Sequence, residues 1–275
     1  MKTNKIGFIG GGNMATSLIS GLIASGHSPQ QIWVSDADQN KLSSLATSLQ
    51  VNTTATNDAL LSEVDVVVLA VKPQAIAQVI KDSLTAFNQS NALVVSIAAG
   101  INQASLSKWL GEKAAIVRCM PNTPALVQTG ASGLHANANV SEDQRDLAEN
   151  IMRSVGISVW VNTESEIDAV TAVSGSGPAY FFLLMEAMEK AATDLGLSQH
   201  TAQLLIEQTA LGAAKIALES NESPGELRAR VTSPGGTTEQ AIKTFHEGNF
   251  SVLVKQALQA AHDRSISLSN ELGAD

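Results

Sequence analysis

Cysteine is all but missing from this chain: Cys119 is the one thiol in 275 residues. An internal disulfide framework and a multi-thiolate metal site are thereby excluded, and Cys119 reads as a small buried strand residue. Histidine offers no substitute, because His27, His135, His200, His246 and His262 never fall at a metal-ligand spacing such as H-x-x-x-H. Positive charge is in deficit, with 17 Lys and Arg against 26 Asp and Glu and a net charge of −9. A field of that sign repels phosphate backbones and anionic headgroups, so neither nucleic acid nor a membrane surface is expected as a partner. Long apolar runs are missing too, since Ala179–Met185 is too short to cross a bilayer. The N-terminus runs directly into a strand and a glycine turn with no secretory pattern, which makes the cytoplasm the expected compartment. What remains is 44% apolar and only 16% charged, the balance of a folded globular chain rather than a disordered one. Its length suits two domains.

The first part of the chain alternates β-branched runs with helical stretches. Strands are expected over Lys5–Ile9, Gln31–Ser35, Asp65–Ala70, Leu93–Ile97, Ala115–Cys119, Gly130–His135 and Gly156–Val161. Helices such as Asn13–Ser25, Asn40–Leu49 and Gln103–Trp109 lie between them. Val66-Val67-Val68-Leu69 is apolar on both faces, as befits a parallel, doubly wound sheet covered by helices on each side. After about Thr163 strand signals vanish and helical ones continue. The expected division is therefore an α/β domain over residues 1–163 and an all-helical domain over 164–275. In the second half, Leu204, Leu205, Ile206, Leu211, Ile216 and Leu218 spread over about two-thirds of a helical wheel, wider than a one-sided helix needs. That face fits either a central helix of its own domain or cover by a second subunit. The last helix repeats Phe250, Val254, Ala257, Ala261, Leu268 and Leu272, a seam that also asks for a partner.

The first strand ends in Gly10-Gly11-Gly12-Asn13-Met14-Ala15, which matches G-x-G-x-x-A between a strand and a helix. Gly10 allows the tight turn, Gly12 lets backbone approach a pyrophosphate, and Ala15 permits close helix-on-strand packing. The helix start offers free N–H groups to phosphate. At the end of the second strand, Asp36 stands where a carboxylate would accept the ribose 2′-OH of NADH. The same residue could instead belong to a solvated turn, with Ser35 and Lys41 reaching a 2′-phosphate. Ala70-Val71-Lys72-Pro73 and Ala98-Ala99-Gly100 end two further strands at the carboxyl edge, where ligands of such sheets collect. The cofactor site is accordingly drawn from these residues together with Asn57 and Asn122.

Met120-Pro121-Asn122-Thr123-Pro124 follows a strand and is stiffened by two prolines. Ser174-Gly175-Ser176-Gly177-Pro178 and Thr232-Ser233-Pro234-Gly235-Gly236-Thr237-Thr238 each open a helix. Such turns serve as caps or as concave N–H arrays for a carboxylate. Two of them beside a dinucleotide fingerprint favour a small anionic substrate.

On these segments, in their order and spacing, the sequence resembles the pyrroline-5-carboxylate reductase family over essentially its whole length. The Ser-Pro-Gly-Gly-Thr-Thr stretch is the most specific of the matches and the fingerprint the least. The resemblance implies a Rossmann domain followed by an all-helical dimerisation domain, a homodimer often assembled further into rings such as a decamer. It implies reduction of the C=N bond of 1-pyrroline-5-carboxylate to L-proline, usually with NADPH and often with NADH. Asp36 departs from the Ser, Asn or Arg that many members carry there, which bears on the coenzyme and not on the reaction. Within that reading Gly235, Gly236 and Thr237 hold the substrate carboxylate, Thr238 orients the ring nitrogen, and Ser176 and Gly177 wall the pocket. A β-hydroxyacid dehydrogenase would need a catalytic lysine early in the second domain, and Ala179–Leu184 supplies none. A non-catalytic dinucleotide sensor would leave the Ser-Pro-Gly-Gly-Thr-Thr turn without a purpose.

Overall fold

The computed structural model describes residues 4–273. In the first part of the chain the elements are β1 (Ile6–Ile9), α1 (Asn13–Ala24), β2 (Ile32–Ser35), α2 (Gln39–Leu49), β3 (Asn52–Thr54), α3 (Asn57–Leu61) and β4 (Val66–Leu69). There follow α4 (Ile76–Asp82), α5 (Leu84–Ser90), β5 (Leu93–Ser96), α6 (Gln103–Leu110), β6 (Ile116–Met120), β7 (Gly130–Ala136), α7 (Glu142–Arg153) and β8 (Gly156–Trp160). The rest is helical: α8 (Glu166–Val170), a π turn (Thr171–Gly175), α9 (Gly177–Asp194), α10 (Gln199–Glu219), α11 (Pro224–Arg230), α12 (Thr237–Glu247) and α13 (Phe250–Leu272).

The eight strands form one sheet in the order β3-β2-β1-β4-β5-β6-β7-β8. Strand alternation explains why both faces are covered. Ile6, Phe8, Val66 and Val68 point into one apolar cluster with Leu18 and Leu45, whereas Ile9, Val67 and Leu69 point into the other with Ile76 and Leu106. The strands stay parallel, but the order in which successive strands are added reverses between β1 and β4, which makes their carboxyl ends the switch point of the sheet.

Two features of the sheet differ from the sequence reading. β7 pairs antiparallel with β6, with Cys119 opposite Leu134. The connection between them holds only a short 3-10 turn (Thr123–Val127), and a parallel return needs a crossover of about a dozen residues or more. β3 was not foreseen because Asn52-Thr53-Thr54 is polar and only half-buried, as an edge strand tolerates.

The chain divides into two compact units. The first runs through Pro178 and resumes at Ala260, and the second spans Ala179–Gln259. This division falls later than the expected boundary at 163/164. The side chain of Val170 packs on Gly133 of β7, which keeps α8 and the π turn with the sheet. The end of α13 also belongs to the first unit. Leu268 and Leu272 pack at Gly100, so the far half of the supposed α13 seam is covered within the chain.

In the second unit Phe181, Phe182, Leu205, Leu211, Ile216 and Phe250 remain exposed, Leu211 by 63%. The helical stretch Glu166–Asp194 is long and apolar enough to cross a membrane by length and composition, with a mean hydropathy of 1.2 in its most apolar window. Counting only the unbroken run from Ala179 to Met185 understated it, because Pro178 and Glu186 bound the run without ending the helix.

Candidate active site

The fingerprint loop is built by backbone constraints. Gly10 has φ +101°, and a Cβ there would lie 2.8 Å from the Ala70 carbonyl carbon and oxygen. Its N–H donates to the Ser35 carbonyl at 2.8 Å, so three strand ends meet at one glycine. A Cβ on Gly12, by contrast, would meet nothing within 4 Å. Gly12 is the N-cap of α1 and no side chain caps that helix. An open cradle in front of uncapped N–H groups fits a pyrophosphate.

Asp36 decides the shape of this loop. One carboxylate oxygen accepts the Gly11 N–H at 2.8 Å and the other accepts the Asp38 N–H at 2.9 Å. Lys41 Nζ stands 3.8 Å from the first of these oxygens. Burial alone would push the carboxyl pKa up, but the Asp38 and Gly11 N–H groups and the Lys41 ammonium together hold it below its ordinary value. Asp38 caps α2 through the Asn40 and Lys41 N–H groups. Ser35 Oγ donates to Asn57 Oδ1 at 2.7 Å, which brings Asn57 to the same corner as Ser35 and Asp36.

Across the switch point, Lys72 is exposed at the start of the short turn Pro73–Ala75, and Val71 lies against Gly10. Ala98 and Gly100 are buried and Ala99 is exposed at the end of β5. Asn122 has a bracing role: its Nδ2 donates to the Ser174 carbonyl at 3.0 Å, and its Oδ1 accepts the Ala131 N–H at 2.9 Å. A Cβ on Gly175 would come 2.5 Å from Met120 Cε. The two proline-flanked and glycine-rich segments are therefore seated together at the carboxyl edge of the sheet. Ser176 and Gly177 follow directly, across a π turn closed by the Ser176 N–H on the Thr171 carbonyl at 2.8 Å. Short π segments of this kind often mark functional positions.

Gly235, Gly236, Thr237 and Thr238 open α12 in the second unit. Two of the three N–H groups expected to bind a carboxylate are already engaged. Gly235 donates to Glu239 Oε2 at 2.8 Å, and Gly236 donates to the Ser233 carbonyl at 3.0 Å. The N–H groups of Thr237 and Thr238 and the Thr238 hydroxyl have no partner among the described residues. Glu239 was not singled out in the sequence, and its tie to Gly235 emerges only with the structure.

Also missed was a buried network on the first unit. Arg118, 3% exposed, pairs with Glu164 at 2.9 Å and Asp168 at 3.6 Å. A lone charge within the apolar run Ile116–Cys119 was the available signal.

A doubly wound sheet with a glycine fingerprint at its switch point defines a Rossmann-type, nicotinamide-dependent oxidoreductase. Residues 5–100 match the family described as NADP oxidoreductase coenzyme F420-dependent, and residues 164–268 match pyrroline-5-carboxylate reductase dimerisation. The chain is 53% identical to a pyrroline-5-carboxylate reductase of Pseudomonas aeruginosa, over 99% of this chain and 100% of that one. It is 40% identical to the Escherichia coli enzyme of that name, over 96% of this chain and 98% of the relative. Among solved structures, a pyrroline-5-carboxylate reductase from Coxiella burnetii superposes with a TM-score of 0.94 at 49% identity, covering 98% of this chain and 99% of that one. One from Plasmodium falciparum, with NADP bound, gives 0.86 at 28% identity, covering 98% and 99%. The chain belongs to the pyrroline-5-carboxylate reductase family.

Proposed function

We propose that this chain reduces the C=N bond of 1-pyrroline-5-carboxylate to give L-proline, with NADPH as the preferred donor and NADH accepted. The near full-length match to that family carries the reading. The coenzyme supplies a hydride from nicotinamide C4 to the imine carbon. Gly10, Gly12, Asn13, Met14 and Ala15 hold its pyrophosphate, and Ser35, Asn57 and Lys41 receive a 2′-phosphate. Ala70–Pro73, Ala98–Gly100 and the loop around Asn122 line the rest of its path. The preference for NADPH rests on Asp36, whose two oxygens are engaged by backbone and whose charge is offset by Lys41. A carboxylate so engaged repels a 2′-phosphate less than a free one would.

For the substrate, the carboxylate is assigned to the turn Gly235–Thr237, with the free Thr237 and Thr238 N–H groups as principal donors. The unpartnered Thr238 hydroxyl orients the ring nitrogen, and Ser176 and Gly177 form the pocket wall. A threonine hydroxyl is too weak an acid to protonate the imine, so solvent supplies that proton. The sheet-bearing unit, through Pro178 and with the end of α13, acts as the dinucleotide part, and Ala179–Gln259 carries the dimerisation and substrate-binding part. The enzyme works in the cytoplasm as a homodimer built into a ring such as a decamer, apart from nucleic acid and membrane. Following reduced-coenzyme absorbance with 1-pyrroline-5-carboxylate tests the reading. Turnover with both coenzymes and a higher kcat/KM for NADPH is expected, whereas a higher value for NADH would overturn the coenzyme assignment. Binding without turnover would overturn the reaction.

A further inference from the structure

The loop from Ala98 to Gln103 is held from two sides by groups outside the dinucleotide cradle. On one side stands the Arg118 network. Glu164 Oε1 accepts both an Arg118 N–H at 2.9 Å and the Gln103 backbone N–H at 2.6 Å. The Gln103 side chain donates to the carbonyls of Ile116 and His135, at 3.3 and 2.9 Å, which fixes the start of α6 to β6 and β7. On the other side lies the end of α13. Gly100 has φ +74°, and a Cβ there would lie 3.2 Å from both Leu268 Cβ and Leu272 Cδ1. The helix end also crowds α6, because a Cβ on Gly273 would collide with Ser105 Oγ.

One buried contact joins the two sides. Ser265 Oγ donates to Asp168 Oδ1 at 2.7 Å, and that same oxygen stands 3.6 Å from Arg118. Ser265 is 4% exposed, so its hydroxyl is committed to this carboxylate. A hydrogen bond to a buried charged group is stronger than a neutral one, and its loss leaves the carboxylate short of a donor. The last two turns of α13, from Ser265 to Leu272, are thereby held over Gly100.

We propose that the end of α13 positions the Ala98–Gln103 loop for dinucleotide binding, with Ser265 and Leu268 as its positioning residues. The inference rests on the assignment of Ala98, Ala99 and Gly100 to the coenzyme site. Neither Ser265 nor Leu268 touches the coenzyme; both act through the backbone of the loop at Gly100.

The test compares wild type with Ser265→Ala, Leu268→Ala and the hydroxyl-keeping Ser265→Thr, each as the full chain. Fluorescence titration gives the Kd for NADPH without substrate, and steady-state rates give KM for each substrate. Ser265→Ala and Leu268→Ala are expected to raise the Kd and KM for NADPH about 5- to 20-fold. The KM for the imine and kcat at saturating NADPH should stay within about two-fold, and Ser265→Thr should recover most of the affinity. A folded variant, judged by circular dichroism and its mass in solution, with a wild-type NADPH Kd would overturn the inference. So would a fall in kcat with the Kd unchanged. If Ser265→Ala does not fold, Leu268→Ala decides on the same measurements. Failure of the underlying reading looks different, because wild type would then bind no NADPH.

Discussion

Thr238 has the side chain on which the substrate half of the account turns. Its hydroxyl has no partner among the described residues and sits half-buried beside free backbone donors. If it orients the imine nitrogen in the transition state, Thr238→Ala costs about 10- to 100-fold in kcat/KM, or about 1.4–2.7 kcal/mol. Steady-state kinetics check this, and an unchanged kcat/KM would remove the residue from the mechanism. Asp36 shows where single residues cease to be legible. Its place at the end of β2 was plain from the chain, and so were its two roles. Its bond to the Gly11 N–H, 25 positions away, is recorded by no local pattern. Asn122 is similar: its position in a stiff loop was readable, whereas its bond to Ser174 depends on a π turn no sequence period announces.

At the scale of elements, α12, to which the substrate carboxylate is assigned, carries an anion of its own. Glu239 in the first turn stabilises the helix N-terminus, and its Oε2 takes the Gly235 N–H. A bound carboxylate must share that corner with it. Glu239→Gln keeps an acceptor for Gly235 but removes the charge, so KM for the imine should fall about 2- to 5-fold with little change in kcat. A KM that rises, or stays as it was, would place the substrate carboxylate elsewhere. The strands of the sheet were mostly legible because Val66–Leu69 and Leu93–Ser96 are apolar on both faces. The reversal at β7 was not, since strand direction is set by connection length and neighbours. The α13 repeat misled for a related reason: a periodic seam shows that a helix is covered, not by what. Leu268 and Leu272 find Gly100, while Phe250 stays exposed.

For the molecule as a whole, a single chain leaves too much apolar surface on its second unit to be the working form. Phe181, Phe182, Leu205 and Leu211 lie open, within the region that matches a dimerisation family. A homodimer accounts for that surface, and for the over-wide apolar face of α10 that the sequence already displayed. Net charge of −9 adds that an anionic substrate must be drawn in by local donors rather than by the overall field. The central claim is a direct hydride transfer to the imine carbon in that assembly. Turnover with NADPH deuterated at the transferred position of C4 tests it, read by the mass and NMR spectrum of the proline formed. One deuterium at proline C5 and none elsewhere is predicted. Coenzyme oxidation that leaves proline C5 unlabelled would contradict the account.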